Sequence, residues 1–321
     1  MNKLILTLLS ALAVLTCTPA ARATDFPTKT VTLVVPNAPG GAVDIMARLI
    51  SQKLGGLWGK GVVVVYKPGA GTVLGTDYVA KSAPDGYTIG MVVTSHVINP
   101  SLRRNMPFDT LKDLSGVSEI ATSQIVLEAN PKFPANNLAE LIALAKKEPG
   151  KLSFASPGAG STMHLIGEMI KKKEGIDMLH VPFNGSGHAY IEVISGRIPL
   201  MLDPLFSSLP YIKSGKLKAL AVAGAHRDPI APNIPTIAET IPGFDVHSMF
   251  GLVVPSATPR DVVHKISVDV AKVLRMPDIQ ARMKEIGMTP LGTTPEQFDA
   301  YIRSEIPKWA EIVKSSGATV N

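Results

Sequence analysis

The sequence is poor in the residues that covalent and metal chemistry require. Its only cysteine, Cys17, lies in an N-terminal segment that we expect to be removed, which leaves no disulfide, thiolate metal site or cysteine nucleophile. Aromatic residues make up 5% of the chain, and a formal net charge of +6 is spread along it. A nucleic-acid partner is therefore not expected, because such surfaces combine basic clusters with stacking rings.

Catalytic signatures are missing as well. The seven histidines form neither an H-x-H pair nor an HExxH zinc motif, and no serine lies in a G-x-S-x-G turn. There is no P-loop, and the spacing of Gly69, Gly71 and Gly75 is one residue too long for a dinucleotide fingerprint. A hydrolase or metalloenzyme would need such groups, so we expect no catalytic residue, no metal and no cofactor.

Residues 1–23 have the pattern of a cleavable export signal. Lys3 precedes an apolar run over residues 4–15, and Ala21-Arg22-Ala23 is an A-x-A cleavage site. The run is shorter than the roughly 20 residues that a membrane span needs. Lipidation at Cys17 is the alternative, but Thr16 is not the small residue that usually precedes a lipidated cysteine. We therefore expect a protein that is exported from the cytoplasm.

Short apolar runs that favour strands alternate with helical patterns, which predicts doubly wound α/β domains with parallel strands. The length suggests two cores. Two longer runs, at residues 117–129 and 244–254, have strand composition and are expected to cross between domains. We predict a first domain of residues 24–124 plus 250–321 and a second of residues 125–249, with a ligand cleft between them.

Two helix starts carry the same capping signal, a threonine followed by proline. Thr258-Pro259 and Thr294-Pro295 each place a capping residue before a proline, which is tolerated at the first helical position because its missing N–H is not needed there. Both are expected to begin C-terminal helices that pack on the first domain.

Two strand–loop–helix junctions carry the positive functional signal. Residues 36–41 (Pro-Asn-Ala-Pro-Gly-Gly) and residues 156–161 (Ser-Pro-Gly-Ala-Gly-Ser) place glycines directly before a helix. Free N–H groups and the helix dipole favour an anion there, and the carboxyl ends of strands are where open α/β sheets bind ligands. Either loop alone could be only a tight turn, but one in each half could hold the two ends of a small dianion.

Several candidate residues have a structural alternative. Ser161 and Thr162 could simply cap their helix, and His164 could pack rather than bind. Asp44 could pair with Arg48 four residues later, or it could face the cleft and favour an ammonium group. Other polar residues end strands, and one of them, Asp203, could instead serve a turn with Pro204. The full candidate set is Pro36, Asn37, Ala38, Gly40, Gly41, Asp44, Thr94, Ser95, Ser156, Gly160, Ser161, Thr162, His164, Asn184, Gly185 and Asp203.

The sequence resembles the periplasmic solute receptors of tripartite tricarboxylate transporters, also called Bug proteins. The resemblance covers nearly all of the chain after the signal, and the order and spacing of its motifs make it specific. The residues that carry it are 34–36, 39–41, 44, 67–71, 83–88, 98–102, 156–158, 160–161, 164–165, 181–185, 217–222, 235–236 and 239. Asn37 and Tyr66 depart from the family, which more often has an aromatic residue and an asparagine there.

The resemblance implies a Venus-flytrap fold of the periplasmic-binding-protein type (type II-like), with two α/β domains joined by crossover strands. It implies a monomeric receptor for a di- or tricarboxylate, an acidic amino acid or an aromatic carboxylate, held mostly by backbone amides, hydroxyls and waters. The implied partners are that small organic anion and the membrane permease subunits of the transporter. The alternative is a periplasmic sensor that signals instead of feeding a permease.

Cleavage after Ala23 predicts a mature N-terminus at Thr24. N-terminal sequencing of the protein from the periplasmic fraction checks this directly. A chain that begins at lipid-modified Cys17 would contradict it.

Overall fold

Two β-sheets, each with helices packed against it, organise the protein. The computed structural model describes residues 25–40, 42–183 and 185–316, so the expected signal at residues 1–23 and the candidate residues Gly41 and Asn184 lie outside the described residues. We call the sheet of the N-terminal strands with its helices the first lobe, and the other sheet with its helices the second lobe. The predicted α/β class is confirmed.

The first lobe contains a six-stranded mixed sheet. Its strands are β1 (Val31–Val35), β2 (Val62–Tyr66), β3 (Thr88–Val93), β4 (Leu114–Ser123), β10 (Ser248–Pro255) and β11 (Thr289–Pro290). Its helices are α1 (Ala42–Trp58), α2 (Val73–Ala80), α3 (Ser95–Leu102), α8 (Arg260–Leu274), α9 (Pro277–Glu285) and α10 (Pro295–Ser316). The strand order is β11-β4-β10-β3-β1-β2. β1 runs parallel to β2 and β3, whereas β10 runs antiparallel to β3 and β4.

The second lobe contains a five-stranded sheet. Its strands are β5 (Ile125–Ala129), β6 (Leu152–Ser156), β7 (Met178–Pro182), β8 (Leu200–Pro204) and β9 (Lys218–Val222). Its helices are α4 (Leu138–Lys147), α5 (Thr162–Glu174), α6 (Ser186–Ile194) and α7 (Leu205–Lys213). The strand order is β7-β6-β8-β5-β9, with β6 parallel to its neighbours and β5 antiparallel to its own. Among the described residues, no helix is long and apolar enough to cross a membrane.

The first strand and helix show how apolar spacing produces these layers. β1 is an apolar run buried at all but one position, as expected of a strand covered on both faces. In α1 the buried apolar side chains recur every three or four residues, at Val43, Met46, Ala47, Ile50 and Leu54. This stripe packs in one apolar cluster with β1, so the helix start lies beside the strand end.

The two threonine–proline signals have different outcomes. Pro295 is the first residue of α10, the Thr294 hydroxyl accepts a hydrogen bond from Gln297 N–H (3.3 Å), and Gln297 Oε1 accepts from Thr294 N–H (2.9 Å), so this capping prediction is confirmed. The equivalent prediction at Thr258 was wrong. α8 begins one residue after Pro259, and the buried Thr258 hydroxyl has no hydrogen-bond partner among the described residues.

The chain passes between the lobes through two short connections. The run at residues 117–129 is not one strand but β4 and β5, which are separated by Gln124 alone. The return strand β10 begins at Ser248 rather than at residue 244. Each apolar run includes residues that pair with different sheets. Composition alone therefore does not show at which residue the chain leaves one sheet for the other.

Gln124 joins the two connections. Its side chain accepts a hydrogen bond from Gly224 N–H (2.8 Å) and donates one to His226 O (3.1 Å), both in the returning segment between β9 and β10. Its carbonyl accepts from Leu205 N–H (2.9 Å) at the start of α7. The outgoing and returning connections therefore form one joint.

Close packing on β10 predicts a contrast between two glycine substitutions. A Cβ atom at Gly251 would lie 2.2 Å from the ring of the fully buried Phe298, whereas one at Gly56 in α1 would meet nothing within 4 Å. We expect Gly251→Ala to destabilise the protein by about 1–3 kcal/mol through overpacking. Gly56→Ala should stabilise it by about 0.5–1 kcal/mol through helix propensity. Thermal melting of both variants checks the opposite signs, and an unchanged melting temperature for Gly251→Ala would contradict the packing described.

Candidate ligand-binding site

The carboxyl ends of the parallel strands lie at the junction of the lobes. In the first lobe the end of β3 pairs with the beginning of β10, where Val93 lies opposite Phe250. In the second lobe the end of β8 pairs with the beginning of β5, where Pro204 lies opposite Ile125. β10 and β5 both begin where the chain enters a lobe from the other one. The loops after the parallel strands of each sheet are therefore directed toward the opposite lobe.

The first-lobe glycine loop follows β1. Pro36 is buried, Asn37 is half-buried, and Ala38 and Gly40 are exposed. Gly40 has a φ of +94°, a left-handed conformation that glycine adopts without steric cost, and its N–H donates to Asp44 Oδ2 (2.8 Å). This bond closes the loop back onto the first turn of α1.

Asp44 is fully engaged by protein groups. Besides the Gly40 bond, its Oδ1 accepts from Arg48 Nε (2.7 Å) and from the Tyr66 hydroxyl (2.5 Å), and only 5% of the residue is exposed. The Tyr66 hydrogen bond, with smaller contributions from Gly40 and Arg48, lowers the pKa of Asp44 in spite of its burial. Asp44 is thus an ionised carboxylate that supports the loop, and the i,i+4 partner Arg48 is the one that the spacing suggested.

The second-lobe glycine loop repeats this construction. Gly160 has a φ of +76°, and its N–H donates to Nδ1 of His164 (3.0 Å), again four residues later and one turn into the helix. The Ser161 hydroxyl accepts from His164 N–H (3.2 Å), so Ser161 is the N-cap of α5, and it retains its own proton to donate. The two loops are closed by the same bond with different side chains.

Free donors remain at both helix starts. Among the described residues, the N–H groups of Val43 and Asp44 in α1 and of Thr162 and Met163 in α5 have no hydrogen-bond acceptor. The hydroxyl of the mostly buried Thr162 also makes no hydrogen bond there. Each loop therefore presents N–H dipoles at the positive end of a helix, the arrangement that favours an anion.

His164 belongs to a neutral stack. Its ring lies 3.8 Å from that of His180 at an interplanar angle of 12°, and His180 Nε2 lies 2.7 Å from the Ser156 hydroxyl. Burial lowers the pKa of His164, and burial together with the neighbouring His164 lowers the pKa of His180 to about 3. Both rings are uncharged at neutral pH. Ser156 is fully buried, and its hydroxyl donates to Gly158 O (3.1 Å), so it supports the loop from within the protein.

The remaining candidates of the first lobe tie the end of β3 to its surroundings. The buried Thr94 hydroxyl accepts from Met249 N–H (2.9 Å) at the start of β10. The Ser95 hydroxyl lies 2.7 Å from that of Thr72, in the turn before α2. Both lie at the same sheet edge as the glycine loop, because β1 and β3 are parallel neighbours.

In the second lobe, the turn after β7 contacts the glycine loop directly. Gly185 N–H donates to Pro157 O (2.9 Å), and Phe183 N–H donates to Ser156 O (3.0 Å). The structure brings these two turns together at one edge. Asn184, which lies between Phe183 and Gly185 in the sequence, is outside the described residues.

Asp203 is not at the surface of this edge. It is fully buried, and its two carboxylate oxygens accept hydrogen bonds from the Ser186 hydroxyl (2.7 Å) and the Tyr190 hydroxyl (2.6 Å). Tyr66, Ser186 and Tyr190 were not candidates in the sequence. Ser186 carried a usable signal, since it follows Gly185 at the start of a helix as Ser161 follows Gly160.

Known proteins resemble the chain over most of its length. The family model "Tripartite tricarboxylate transporter family receptor" matches residues 46–318. A UPF0065 protein from Pseudomonas sp. strain P51, encoded between tcbD and tcbE, is 35% identical over 94% of this chain and 91% of its own. Protein BugT of Bordetella pertussis is 33% identical over 92% of each chain.

Solved structures agree with the observed architecture. Rpa4515 of R. palustris, solved with adipate, is 33% identical, has a TM-score of 0.83, and is matched over 92% of this chain and 99% of its own. MatC (Rpa3494) of Rhodopseudomonas palustris, solved with malate, is 31% identical, has a TM-score of 0.77, and is matched over 90% of this chain and 100% of its own. These similarities confirm the periplasmic-binding-protein fold. The chain belongs to the tripartite tricarboxylate transporter receptor family, whose members are periplasmic solute receptors and not enzymes.

Proposed function

We propose that this protein is an extracytoplasmic receptor that binds a small dicarboxylate between its lobes and delivers it to the permease of a tripartite tricarboxylate transporter. The matched glycine loops are the main support. Each leads into a long helix, of 17 residues in α1 and 13 in α5. The first turn of each helix has N–H groups without a hydrogen-bond acceptor among the described residues. One set of anion-favouring donors in each lobe suits a ligand with a carboxylate at each end.

The fixed charges of the site favour a ligand without an amino group. An ammonium group would need an uncommitted carboxylate, but Asp44 already accepts from Gly40, Arg48 and Tyr66. Asp203 is buried and likewise occupied. Of the expected ligand classes, plain di- and tricarboxylates therefore suit the site better than acidic amino acids. Adipate and malate in the related structures are dicarboxylates of this kind.

The candidate residues have two proposed roles. Those of the first role contact the ligand or shape the backbone around it: Pro36, Asn37, Ala38, Gly40, Gly41, Thr94, Ser95, Gly160, Ser161, Thr162, Asn184 and Gly185. Those of the second role support the binding loops from within the protein: Asp44, Ser156, His164 and Asp203.

We propose that the lobes correspond to domains of residues 24–124 with 250–321 and of residues 125–249, and that they close on the ligand. The joint at Gln124 supports closure about one axis, because it ties the outgoing connection to the returning one. A sensor for a signalling partner is the less favoured alternative, because the family is one of transporter receptors. Uptake by a strain that lacks the gene would separate the two.

A ligand panel tests the carboxylate preference. At a concentration 100-fold above its Kd, a ligand that binds only the folded protein adds about 2.7 kcal/mol of stability. We expect malate or adipate to raise the melting temperature, and aspartate and glutamate to raise it less because they carry an ammonium group. Thermal shift followed by isothermal titration checks this. A preference for the amino acids, or no response to any carboxylate, would refute the proposed ligand class.

Substitutions in the loops test whether hydroxyls and backbone hold the anion. Each ordinary hydrogen bond contributes about 0.5–1.5 kcal/mol net, so Ser161→Ala and Thr162→Ala should each weaken binding of the best dicarboxylate by about tenfold or less. Gly40→Val should weaken it more, since a β-branched residue cannot adopt a φ of +94° and would move the loop.

Two matched variants separate affinity from folding in that titration. Ser195→Ala removes an exposed hydroxyl beyond the end of α6. Gly175→Val strains a left-handed glycine (φ +63°) at the far end of α5, where a Cβ also meets nothing within 4 Å. Both should leave affinity unchanged, although Gly175→Val should lower stability. Full affinity in Gly40→Val would show that the first-lobe loop does not hold the ligand.

A further inference from the structure

A buried chain of hydrogen bonds runs behind the second-lobe loops. Asp203 accepts from Ser186 and Tyr190, the Tyr190 hydroxyl lies 3.1 Å from that of Ser208, and the Ser208 hydroxyl lies 3.0 Å from Glu128 Oε1. Asp203, Ser208 and Glu128 have no solvent exposure. The chain thus links two buried carboxyl groups, on β8 and β5, to the first residue of α6.

Strand register places both carboxyls on one face of the sheet. Asp203 lies opposite Val126 and Glu128 lies opposite Met201 in the antiparallel β5–β8 pair, so the two acidic side chains are diagonal neighbours. Two like charges at such a separation, without water, cannot both persist at neutral pH. One of the two groups must keep its proton.

The hydrogen bonds indicate which group keeps it. Asp203 accepts two short bonds from hydroxyl donors, which stabilise a carboxylate. Among the described residues, the Glu128 side chain has one hydrogen-bond partner, Ser208, and its Oε2 has none. A protonated Glu128 can donate to the Ser208 hydroxyl oxygen, and the Ser208 hydroxyl can in turn donate its own proton to Pro204 O (3.3 Å). The proton therefore lies on Glu128 and the charge on Asp203.

The electrostatics agree with this assignment. Burial raises the pKa of Asp203 to about 7, and the bonds from Tyr190 and Ser186 limit the rise. Burial and the charge of Asp203 raise the pKa of Glu128 well above its usual range. Burial and both carboxyls also raise the pKa of Tyr190, which keeps its hydroxyl proton for Asp203.

Among the described residues, no cationic side chain shifts the pKa of either carboxyl group. α6 contributes Ser186 and Tyr190, and α7 contributes Ser208. Lys218 on the neighbouring strand β9 directs its ammonium group to Phe133 O (2.5 Å) and Asn136 Oδ1 (2.8 Å) instead.

We propose that Asp203 is a positioning residue of the ligand site. Glu128 keeps a proton, so that Asp203 is the charged member of the buried pair and anchors Ser186. This rests on the proposed function only in taking the second-lobe glycine loop as a binding loop. Ser186 starts α6 directly after Gly185, whose N–H bonds to Pro157 O in that loop. Through this contact the carboxyl pair, out of reach of any ligand, sets the position of the loop.

Infrared spectroscopy of the ligand-free protein tests the proton assignment. At a pH of about 9, well above the pKa of about 7 to which burial raises Asp203 and Glu119, the wild type should still show the C=O band of a buried protonated carboxyl group. Glu128→Gln should lose that band, whereas Asp203→Asn should keep it. Glu192→Gln is the matched control, because Glu192 is paired with Arg197, which lowers its pKa and keeps it ionised. Absence of the band in the wild type, or its retention in Glu128→Gln, would overturn the assignment.

Hydrogen exchange tests the positioning role, again without ligand. Asp203→Asn and Ser186→Ala should each speed amide exchange in the peptide over residues 183–190 by about tenfold, while Glu192→Gln on the same helix should not. Ser186→Ala decides the matter if Asp203→Asn fails to fold, since it removes only the anchored hydroxyl. Unchanged exchange in Ser186→Ala would overturn the proposal.

Binding of malate and adipate completes the test. Ser186→Ala should lower the affinity for the better of the two compounds, by up to about tenfold relative to wild type. Glu192→Gln should bind it with unchanged affinity. Equal affinity of Ser186→Ala and wild type would overturn the positioning role. If the wild type binds neither compound, the proposed function fails, while the infrared and exchange results still decide this inference.

Discussion

The proposed anion site depends on backbone N–H groups in the first turns of α1 and α5, two in each helix, that have no hydrogen-bond acceptor among the described residues. In each loop a glycine N–H is taken by a side chain one turn into the helix, Asp44 or His164, and this bond folds the loop back beside the helix end. These bonds do not use the N–H groups of Val43, Asp44, Thr162 and Met163. Fixed backbone dipoles cost little reorganisation when a ligand arrives, so they can hold an anion without a cationic side chain in either loop.

The two lobes reach the same geometry with different charges. In the first, Asp44 is ionised and its charge is balanced by Arg48. In the second, the His164–His180 stack is neutral, because burial lowers both pKa values. Neither support adds uncompensated charge beside the helix ends. The charges of these two supports therefore change little around neutral pH.

Local patterns could be predicted from the sequence, but tertiary partners could not. Apolar runs and helical spacing indicated β1 and α1, since each follows from burial of one segment. Thr258 and Thr294 carry identical signals, but Gln297 completes the cap at Thr294, whereas α8 starts without a side-chain cap. Asp203 was ambiguous because its partners, Ser186 and Tyr190, are 17 and 13 residues away. The expectation of a Venus-flytrap fold came from the resemblance to a family, because spacing alone does not predict it.

The position of β10 has a consequence for how the chain is made. This strand lies between β3 and β4, yet it emerges from the ribosome after the whole second lobe. Until it arrives, β4 has no link to the N-terminal strands, and the first sheet consists of β1, β2 and β3 alone. The second sheet, in contrast, is complete once β9 has been synthesised. Because domains generally fold as units during synthesis, the second lobe can acquire its structure first, and the first lobe closes around a finished insert.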